Sequence, residues 1–407
     1  MQKRKKPNLL LLIIIAIAAG IGCGMFFPDW VSRCFITFNS IFSNFLGFCI
    51  PLIILGFVAP AISDIGRGAG KMLVVTVLLA YGATLAAGFL SYFTSSSFFP
   101  ELLKAHTTAI DSAEHNDLAP FFTVPMPPFI DIMSALVLAF IVGIGITYLK
   151  IERGGYIRNM LNEFRDIISW VIAKIIVPLL PLYIFGIFLN MTATGEVGPV
   201  LSTFYKIIIV IFVMHVVWLV IMYVIGALFS RKEKNPFKLL WIMMPAYFTA
   251  LGTQSSAATI PVTLRQTIKM GVDDDVAGFT IPLCATIDLS GSALKITACA
   301  LALMVTHGMH YDFGMFAYFI AMMGITLVAA PGVPGGAIMA ALGLLSSILG
   351  FSEADCALMI ALYIAMDSFG TACNVTGDGA LSLIVDRFFA KKSISKTAGE
   401  SSSILES

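Results

Sequence analysis

The stretch "IIIVIFVMHVVWLVIMYVIGALF" at residues 207–229 decides the class of fold. It contains no Asp, Glu, Lys or Arg, and a helix needs about 20 apolar residues to cross the hydrocarbon core of a bilayer. The stretch "LLLLIIIAIAAGIGCGMFF" at residues 9–27 has a similar length and the same apolar character. Both stretches therefore predict membrane-spanning helices.

The composition of the whole chain agrees with this prediction. Of its 407 residues, 58% are hydrophobic and 12% are charged, whereas a soluble domain is about 25% charged. A transmembrane β-barrel would show alternating segments of about 10 residues, and the sequence has none. It also lacks the basic stripe of a nucleic-acid-binding protein. We predict an all-α polytopic membrane protein whose partner is the lipid bilayer and which binds no nucleic acid.

The first half of the chain is predicted to contain six membrane spans. They cover residues 9–27, 34–62, 70–95, 128–149, 166–191 and 203–229. The apolar run at the N-terminus is longer than the hydrophobic region of a signal peptide, so we interpret it as a retained helix.

The distribution of basic residues predicts the orientation of these spans. Four basic residues precede the first span, whereas the polar loop 100–127 carries one Lys and no Arg. Basic loops lie on the cytoplasmic side, so the loop faces outward. The basic C-terminal tail faces inward. We expect a multi-pass protein of the cell (inner or plasma) membrane with both termini cytoplasmic.

The second half contains apolar segments that are interrupted by small polar residues. Segments 236–265 and 313–350 each have two short apolar arms, which predicts two re-entrant helical hairpins. A span at 275–306 is interrupted by "TIDLSGSALK", and a last span covers 354–390. Paired broken segments indicate a transporter's binding site; the alternative is a kinked helix pair without a site. We therefore predict eight transmembrane helices plus two re-entrant hairpins.

The last span places four polar residues on one helical face. The spacing is four, three and four residues, for Asp367, Thr371, Asn374 and Asp378. A carboxylate at the bilayer centre costs at least about 2.5 kcal/mol and usually marks an ion or substrate path. Gly377 and Gly379 flank Asp378, so we expect the helix to loosen there. The alternative is a polar contact between helices.

Four motifs stand out in the chain: "SSAATIPVTLR" (255–265), "PLCATIDLSGSAL" (282–294), "GVPGGAIM" (332–339) and "DSFGTACNVTGD" (367–378). Together they resemble the dicarboxylate/amino acid:cation symporter family, which includes glutamate transporter homologues and serine/threonine-transporting relatives. The resemblance covers nearly the whole chain. It implies a homotrimer in which one domain moves as an elevator across a fixed scaffold.

The resemblance also implies a division of the chain. We expect scaffold helices 1 and 2 at 1–70, helix 3 and the outer loop at 71–127, helices 4–6 at 128–230, the transport core at 231–392, and a disordered cytoplasmic tail at 393–407.

The resemblance assigns roles to individual residues. Asp367 would receive the substrate's amino group, and Thr371 and Asn374 would contact its carboxylate and backbone. The hairpin tips would close over the substrate through Ser255, Ser256, Gly332 and Val333. Sodium ions, with no organic cofactor, would be held by residues that offer oxygen ligands, namely Cys284, Thr286, Asp288, Asn374 and Asp378.

Departures from the family pattern bear on the substrate. Carriers of acidic amino acids place an arginine where this chain has Gly370, and some relatives place one where it has Gln254. Without either arginine, a second substrate carboxylate would lack its usual partner, which favours a neutral amino acid. Ala80 and Tyr81 stand where the family places hydroxyl ligands from the third helix, a departure that affects one of its sodium sites.

Lys295 lies seven residues after Asp288 and occupies a position where relatives usually carry a tyrosine. Three interpretations remain open: a structural pair with Asp288, an ammonium that replaces a bound cation, or a counter-charge for an acidic substrate.

Two classes of function therefore remain open, a transporter and an enzyme. The favoured one is a cation-coupled symporter of serine, threonine or alanine, with sodium as the expected cation. The alternative is a sodium- or proton-coupled symporter of a dicarboxylate or acidic amino acid that uses Lys295 as counter-charge. An intramembrane aspartyl protease is a remote alternative, since "TGDG" at 376–379 could be paired with Asp288. Under the favoured hypothesis the protein is not an enzyme.

Overall fold

A computed structural model describes residues 9–65, 71–110, 119–148, 155–193, 197–328, 330 and 335–389. These residues form α-helices and connecting segments, with no strand among them. The helices of the first half are α1 (Leu9–Gly24), α2 (Asp29–Ile65), α3 (Lys71–Ile110), α4 (Ile132–Tyr148), α5 (Tyr156–Val171), α6 (Val177–Ala193) and α7 (Val197–Phe229). The second half contains α8 (Pro236–Thr253), α9 (Ser256–Met270), α10 (Asp274–Ile287), α11 (Ser290–Thr306), α12 (Phe313–Val328), α13 (Gly336–Leu349), α14 (Glu353–Ala365) and α15 (Asp367–Phe389).

Several described helices are long and apolar enough to cross a membrane. There are 5 of them in the described ranges, or 6 if α14 and α15 form one bent span. Shorter apolar helices include the first helix and both arms of the second predicted hairpin. The protein is thus an all-helical, multi-pass membrane protein. The predicted count of eight spans and two hairpins remains a prediction.

Two predicted boundaries were wrong. The loop predicted at 100–127 begins later, because α3 continues to Ile110. The fifth span starts at Tyr156 instead of 166, and a π-helical turn at Ile172–Ile176 joins α5 to α6. Span length alone suggested both boundaries, but a helix does not have to end at the membrane surface.

The outer surface of the helices is apolar. Large hydrophobic side chains that are more than half exposed include Leu11, Ile141, Ile209 and Trp241. A soluble protein rarely exposes an apolar surface this extensive. The exposure fits contact with lipid.

The second half forms a packed core around α15. This helix contacts α7, α8, α9, α10 and α11, and nearly all its side chains are buried. The predicted interruption in the seventh span is confirmed, because α10 ends at Ile287 and α11 begins at Ser290. A bend of 62° separates α14 from α15. The break and the bend bring helix ends together inside the core.

The expected loosening around Asp378 was wrong, because α15 is continuous from Asp367 to Phe389. A Cβ on Gly379 would lie 2.9 Å from the Tyr223 hydroxyl oxygen and 2.9 Å from Cε of Met243. The glycine therefore allows close packing of neighbouring helices.

Candidate functional site

The helix pairs α8–α9 and α12–α13, which are the two predicted hairpins, line a cleft together with α15. We use "the cleft" for the space lined by Gln254, Ser256, Ala285, Thr286, Leu289, Ser292, Ala330, Ala337, Tyr363, Asp367, Thr371 and Asn374. The empty space between these residues is about 410 Å³ when the open mouth is included. The named lining residues include one carboxylate and no Lys or Arg.

The tip of the first hairpin is held against α15. Gln254 ends α8 in a left-handed conformation with φ of 53°, which residues other than glycine rarely adopt. Its side-chain Nε2 donates a hydrogen bond of 2.7 Å to the hydroxyl of Ser368. The amide at this position is thus engaged within the protein.

The serines of the first tip have different positions. The side chain of Ser255 accepts a hydrogen bond from the backbone N–H of Ala258, so it caps the N-terminus of α9. Ser256 lines the cleft. Only the second serine is therefore placed to contact a ligand without breaking a helix cap.

Gly335, at the start of the second arm of the second predicted hairpin, also reaches α15. Gly332 and Val333, which were predicted to contact the substrate, lie outside the described residues. The adjacent Gly335 is described, and its backbone N–H donates a 3.0 Å hydrogen bond to Oδ2 of Asp367. The second hairpin therefore contacts the carboxylate that was predicted to receive the substrate.

Lys295 forms an ion pair with Asp367, with 2.9 Å between Nζ and Oδ1. The possible pair between Lys295 and Asp288 was wrong. Asp288 caps the C-terminus of α10, whereas Lys295 lies in α11. Because the two residues are not in one helix, their seven-residue spacing does not place them on one face. Asp288 instead accepts a hydrogen bond from the backbone N–H of Ser290. Asp367, expected to be free, already has a cationic partner.

The ammonium of Lys295 is enclosed by α14 and α15. Its Nζ lies 3.4 Å from the centroid of the Tyr363 ring and donates to the carbonyl oxygen of Tyr363 at 3.4 Å. A Cβ on Gly370 would lie 2.8 Å from the same Nζ. The absence of a side chain at Gly370 thus gives Lys295 its space.

Asn374 connects α15 to the start of α11. Its Oδ1 accepts hydrogen bonds from the backbone N–H groups of Gly291 at 2.8 Å and Ser292 at 3.3 Å. Its Nδ2 donates to the hydroxyl of Ser292 at 3.3 Å. Asn374 therefore caps a helix in addition to lining the cleft beside Thr371.

Deeper in the core, two carboxylates retain oxygen atoms without a partner. Oδ2 of Asp288 and Oδ1 of Asp378 are buried and have no hydrogen-bond partner in the described part of the chain, and the same holds for the hydroxyls of Ser290 and Thr376. A Cβ on Gly377 would lie 3.3 Å from Oδ2 of Asp288, which places that carboxylate against α15. Buried polar atoms normally have partners. These oxygens therefore fit a hard cation such as sodium.

Two other predicted sodium ligands, Cys284 and Thr286, already form one hydrogen bond each within the protein. The backbone oxygen of Cys284 already accepts a hydrogen bond of 2.8 Å from the N–H of Asp288. The hydroxyl of Thr286 donates a hydrogen bond of 2.7 Å to the carbonyl oxygen of Leu283. Thr286 is exposed in the cleft. Both oxygens keep a lone pair for a cation.

The third helix contributes no hydroxyl to this cluster at the two positions singled out in the sequence. Ala80 is fully buried, and the hydroxyl of Tyr81 donates to the carbonyl of Ala321 on α12 at 3.3 Å. Within the described residues there is also no group of three or more His, Cys, Asp or Glu suited to a metal ion.

Sequence reasoning missed three residues near the site. Tyr363 lies near the end of α14, four residues before Asp367, but the 62° bend between α14 and α15 means that helical spacing does not predict their contact. His215 Nε2 lies 3.0 Å from the carbonyl of Gly291, and the hydroxyl of Tyr223 donates to the carbonyl of Thr376 at 2.8 Å. The last two lie in the apolar stretch 207–229, where the sequence offered no pairing signal.

Comparison with known proteins gives relatives over nearly the full length. The serine/threonine transporter SstT of Acinetobacter baumannii (strain AYE) is 27% identical over 393 residues, covering 93% of this chain and 96% of that protein. The serine/threonine transporter SstT of Streptococcus suis (strain 05ZYH33) is 27% identical over 344 residues, covering 82% and 94%.

The family model described as the sodium:dicarboxylate symporter family matches residues 9–388. The match includes both hairpins, the cleft and the buried carboxylates. The chain therefore belongs to the sodium:dicarboxylate symporter family.

Proposed function

We propose that this protein is a sodium-coupled symporter of a small neutral amino acid, with serine, threonine or alanine as substrate. The substrate binds in the cleft between the two hairpins. Relatives that match over most of the chain carry the name serine/threonine transporter, which supports this substrate class. Membership of a symporter family argues directly against the aspartyl protease alternative.

The observation that carries the substrate proposal is the lack of a cationic side chain among the named residues of the cleft. Gln254 is bonded to Ser368, and Gly370 has no side chain. A second carboxylate on the substrate would be buried without a counter-charge, which is strongly unfavourable. A zwitterionic amino acid with a small or hydroxyl side chain avoids this cost.

The alternative substrate, a dicarboxylate or acidic amino acid, requires Lys295 as its counter-charge. The Lys295 side chain has no exposed surface and lies behind Asp367 and Tyr363. An acidic substrate would have to separate a buried ion pair to reach it, which is costly. The geometry therefore favours the neutral substrate.

Sodium is proposed to bind at the partnerless oxygens of Asp288 and Asp378, with the backbone oxygens of Cys284 and Asn374 as further ligands. A second ion is proposed near Thr286 and the second hairpin tip. Bound cations complete the site electrostatically, so sodium and substrate bind with positive coupling. In this proposal the hairpin core moves as an elevator across a scaffold in a homotrimer of the cell membrane, with both termini cytoplasmic.

The test is uptake of labelled L-serine into proteoliposomes under an inward sodium gradient, with choline replacing sodium in the control. We expect sodium-dependent uptake that excess L-threonine blocks and that L-aspartate and succinate leave unchanged. Block by aspartate or succinate would support the alternative substrate class. No serine uptake under a verified gradient would overturn the proposal.

A further inference from the structure

Lys295 is a fully buried lysine that the proposed transport cycle does not otherwise use. The surrounding core also contains Asp288, Asp367 and Asp378, all buried. When every group is ionised, three carboxylates against one ammonium leave two negative charges. Lys295 thus removes one negative charge that an external cation would otherwise have to neutralise.

The contacts of Lys295 are internal to the protein. Its ammonium faces the Asp367 carboxylate, the Tyr363 carbonyl oxygen and the Tyr363 ring. A carboxylate, a carbonyl and the face of an aromatic ring are partners that a free monovalent cation also uses. The ammonium is therefore positioned as such a cation would be, but it is covalently attached.

One member of the pair also lines the cleft, unlike an ordinary structural ion pair. Asp367 lines the cleft, and its second oxygen accepts the N–H of Gly335 beside the second hairpin tip. A charge beside Asp367 therefore affects both the binding site and the contact with that hairpin.

We propose that Lys295 is a tethered cation that neutralises Asp367 and so reduces by one the number of monovalent cations transported with each substrate. Lys295 is a positioning residue that acts through Asp367. This inference rests on the proposed symport function and adds its stoichiometry.

The first experiment measures the coupling ratio in proteoliposomes from the gradient at which net serine flux reverses. Lys295→Met keeps most of the side-chain volume and removes the charge. We expect this variant to couple one more sodium ion per serine than the wild type, and the sodium concentration for half-maximal uptake to rise. An unchanged ratio in a transporting variant would overturn the inference.

The matched control is Lys174→Met. Lys174 lies in the π-helical turn between α5 and α6 with an exposed side chain. The same substitution there should leave the coupling ratio unchanged. An equal change in both variants would also overturn the inference.

A second measurement covers the case in which Lys295→Met does not transport. The melting temperature of the purified full chain is followed against sodium concentration, because an ion that binds only the folded state stabilises it by mass action. Lys295→Met should show a steeper sodium dependence than the wild type, and the double variant Asp367→Asn/Lys295→Met should lose the extra slope. Equal slopes in all three proteins would overturn the inference.

These outcomes are separable from failure of the proposed function. If wild-type protein does not transport serine, the symport proposal fails, whereas the sodium dependence of melting still tests the tethered cation. If wild-type transport is sodium-coupled and the slopes are equal, only the inference fails.

Discussion

Asp367 and Asp378 lie on the same face of α15 and are exposed by only 4% and 1%, yet their surroundings differ. Both oxygens of Asp367 have donors from the protein, the Lys295 ammonium and the Gly335 N–H. Oδ1 of Asp378 has no donor among the described residues. A buried charge needs a partner; the fold supplies one to the first carboxylate, and in our proposal sodium supplies one to the second. Burial alone therefore does not distinguish a carboxylate that is paired within the protein from one that keeps an oxygen without a partner.

The strongest test of this difference is Asp378→Asn, which keeps the volume and removes the charge. In our proposal Asp378 is a principal sodium ligand, so we expect the increase in serine affinity that sodium causes to fall by on the order of 100-fold in this variant. Binding of labelled serine to purified protein, titrated with sodium, measures the effect.

Asp386→Asn is the matched control for that substitution. Asp386 is buried on the same helix, but it accepts the backbone N–H of Asp273 at 2.8 Å and lies 3.5 Å from Arg231. The control should keep the sodium dependence. Retained sodium stimulation in Asp378→Asn would contradict the assignment of Asp378.

The next test is Asp367→Asn, which removes the partner of a buried ammonium. We expect the free energy of unfolding to fall by about 3–5 kcal/mol and serine binding to be lost. Chemical denaturation in detergent measures the stability. A stability equal to that of the wild type would mean that the Lys295–Asp367 pair does not exist in solution.

The smallest effect is expected for Gly370→Ala. The added Cβ would lie 2.8 Å from Nζ and 2.9 Å from Cε of Lys295, so the flexible end of the lysine must move. We expect a destabilisation of about 1–2 kcal/mol, measured by the same denaturation.

The double variant Gly370→Ala/Lys295→Met tests whether the two residues share one space. In the Lys295→Met background, Gly370→Ala should lower the free energy of unfolding by less than it does in the wild type. An identical cost in both backgrounds would show that the two positions are independent.

Much of the architecture could be predicted from local patterns. Apolar length predicted the long helices, and the small polar residues around Asp288 predicted the break between α10 and α11. The four-three-four spacing predicted the shared face of Asp367, Thr371, Asn374 and Asp378 on one helix. Each of these features depends on neighbours in the chain, so each leaves a local signal.

Features that depend on packing were predicted less well. The glycines around Asp378 suggested a loosened helix, but Gly379 instead provides room for Tyr223 and Met243. A glycine that loosens a helix and a glycine that allows close packing of helices look identical in the sequence. Only the atoms that surround the position of the absent Cβ distinguish the two roles.

By itself, the sequence determined the membrane class, which follows from apolar length, and the family motifs, whose resemblance marks Gln254 and Gly370 as positions where acidic carriers place an arginine. Only the tertiary structure decided the partner of Lys295. The helix break near Asp288 disrupts the helical spacing that suggested Asp288 as the partner of Lys295. The actual contact joins Lys295 on α11 to Asp367 on α15, across 72 positions in the chain. Such a pairing depends on how the helices pack in space, which no local spacing encodes.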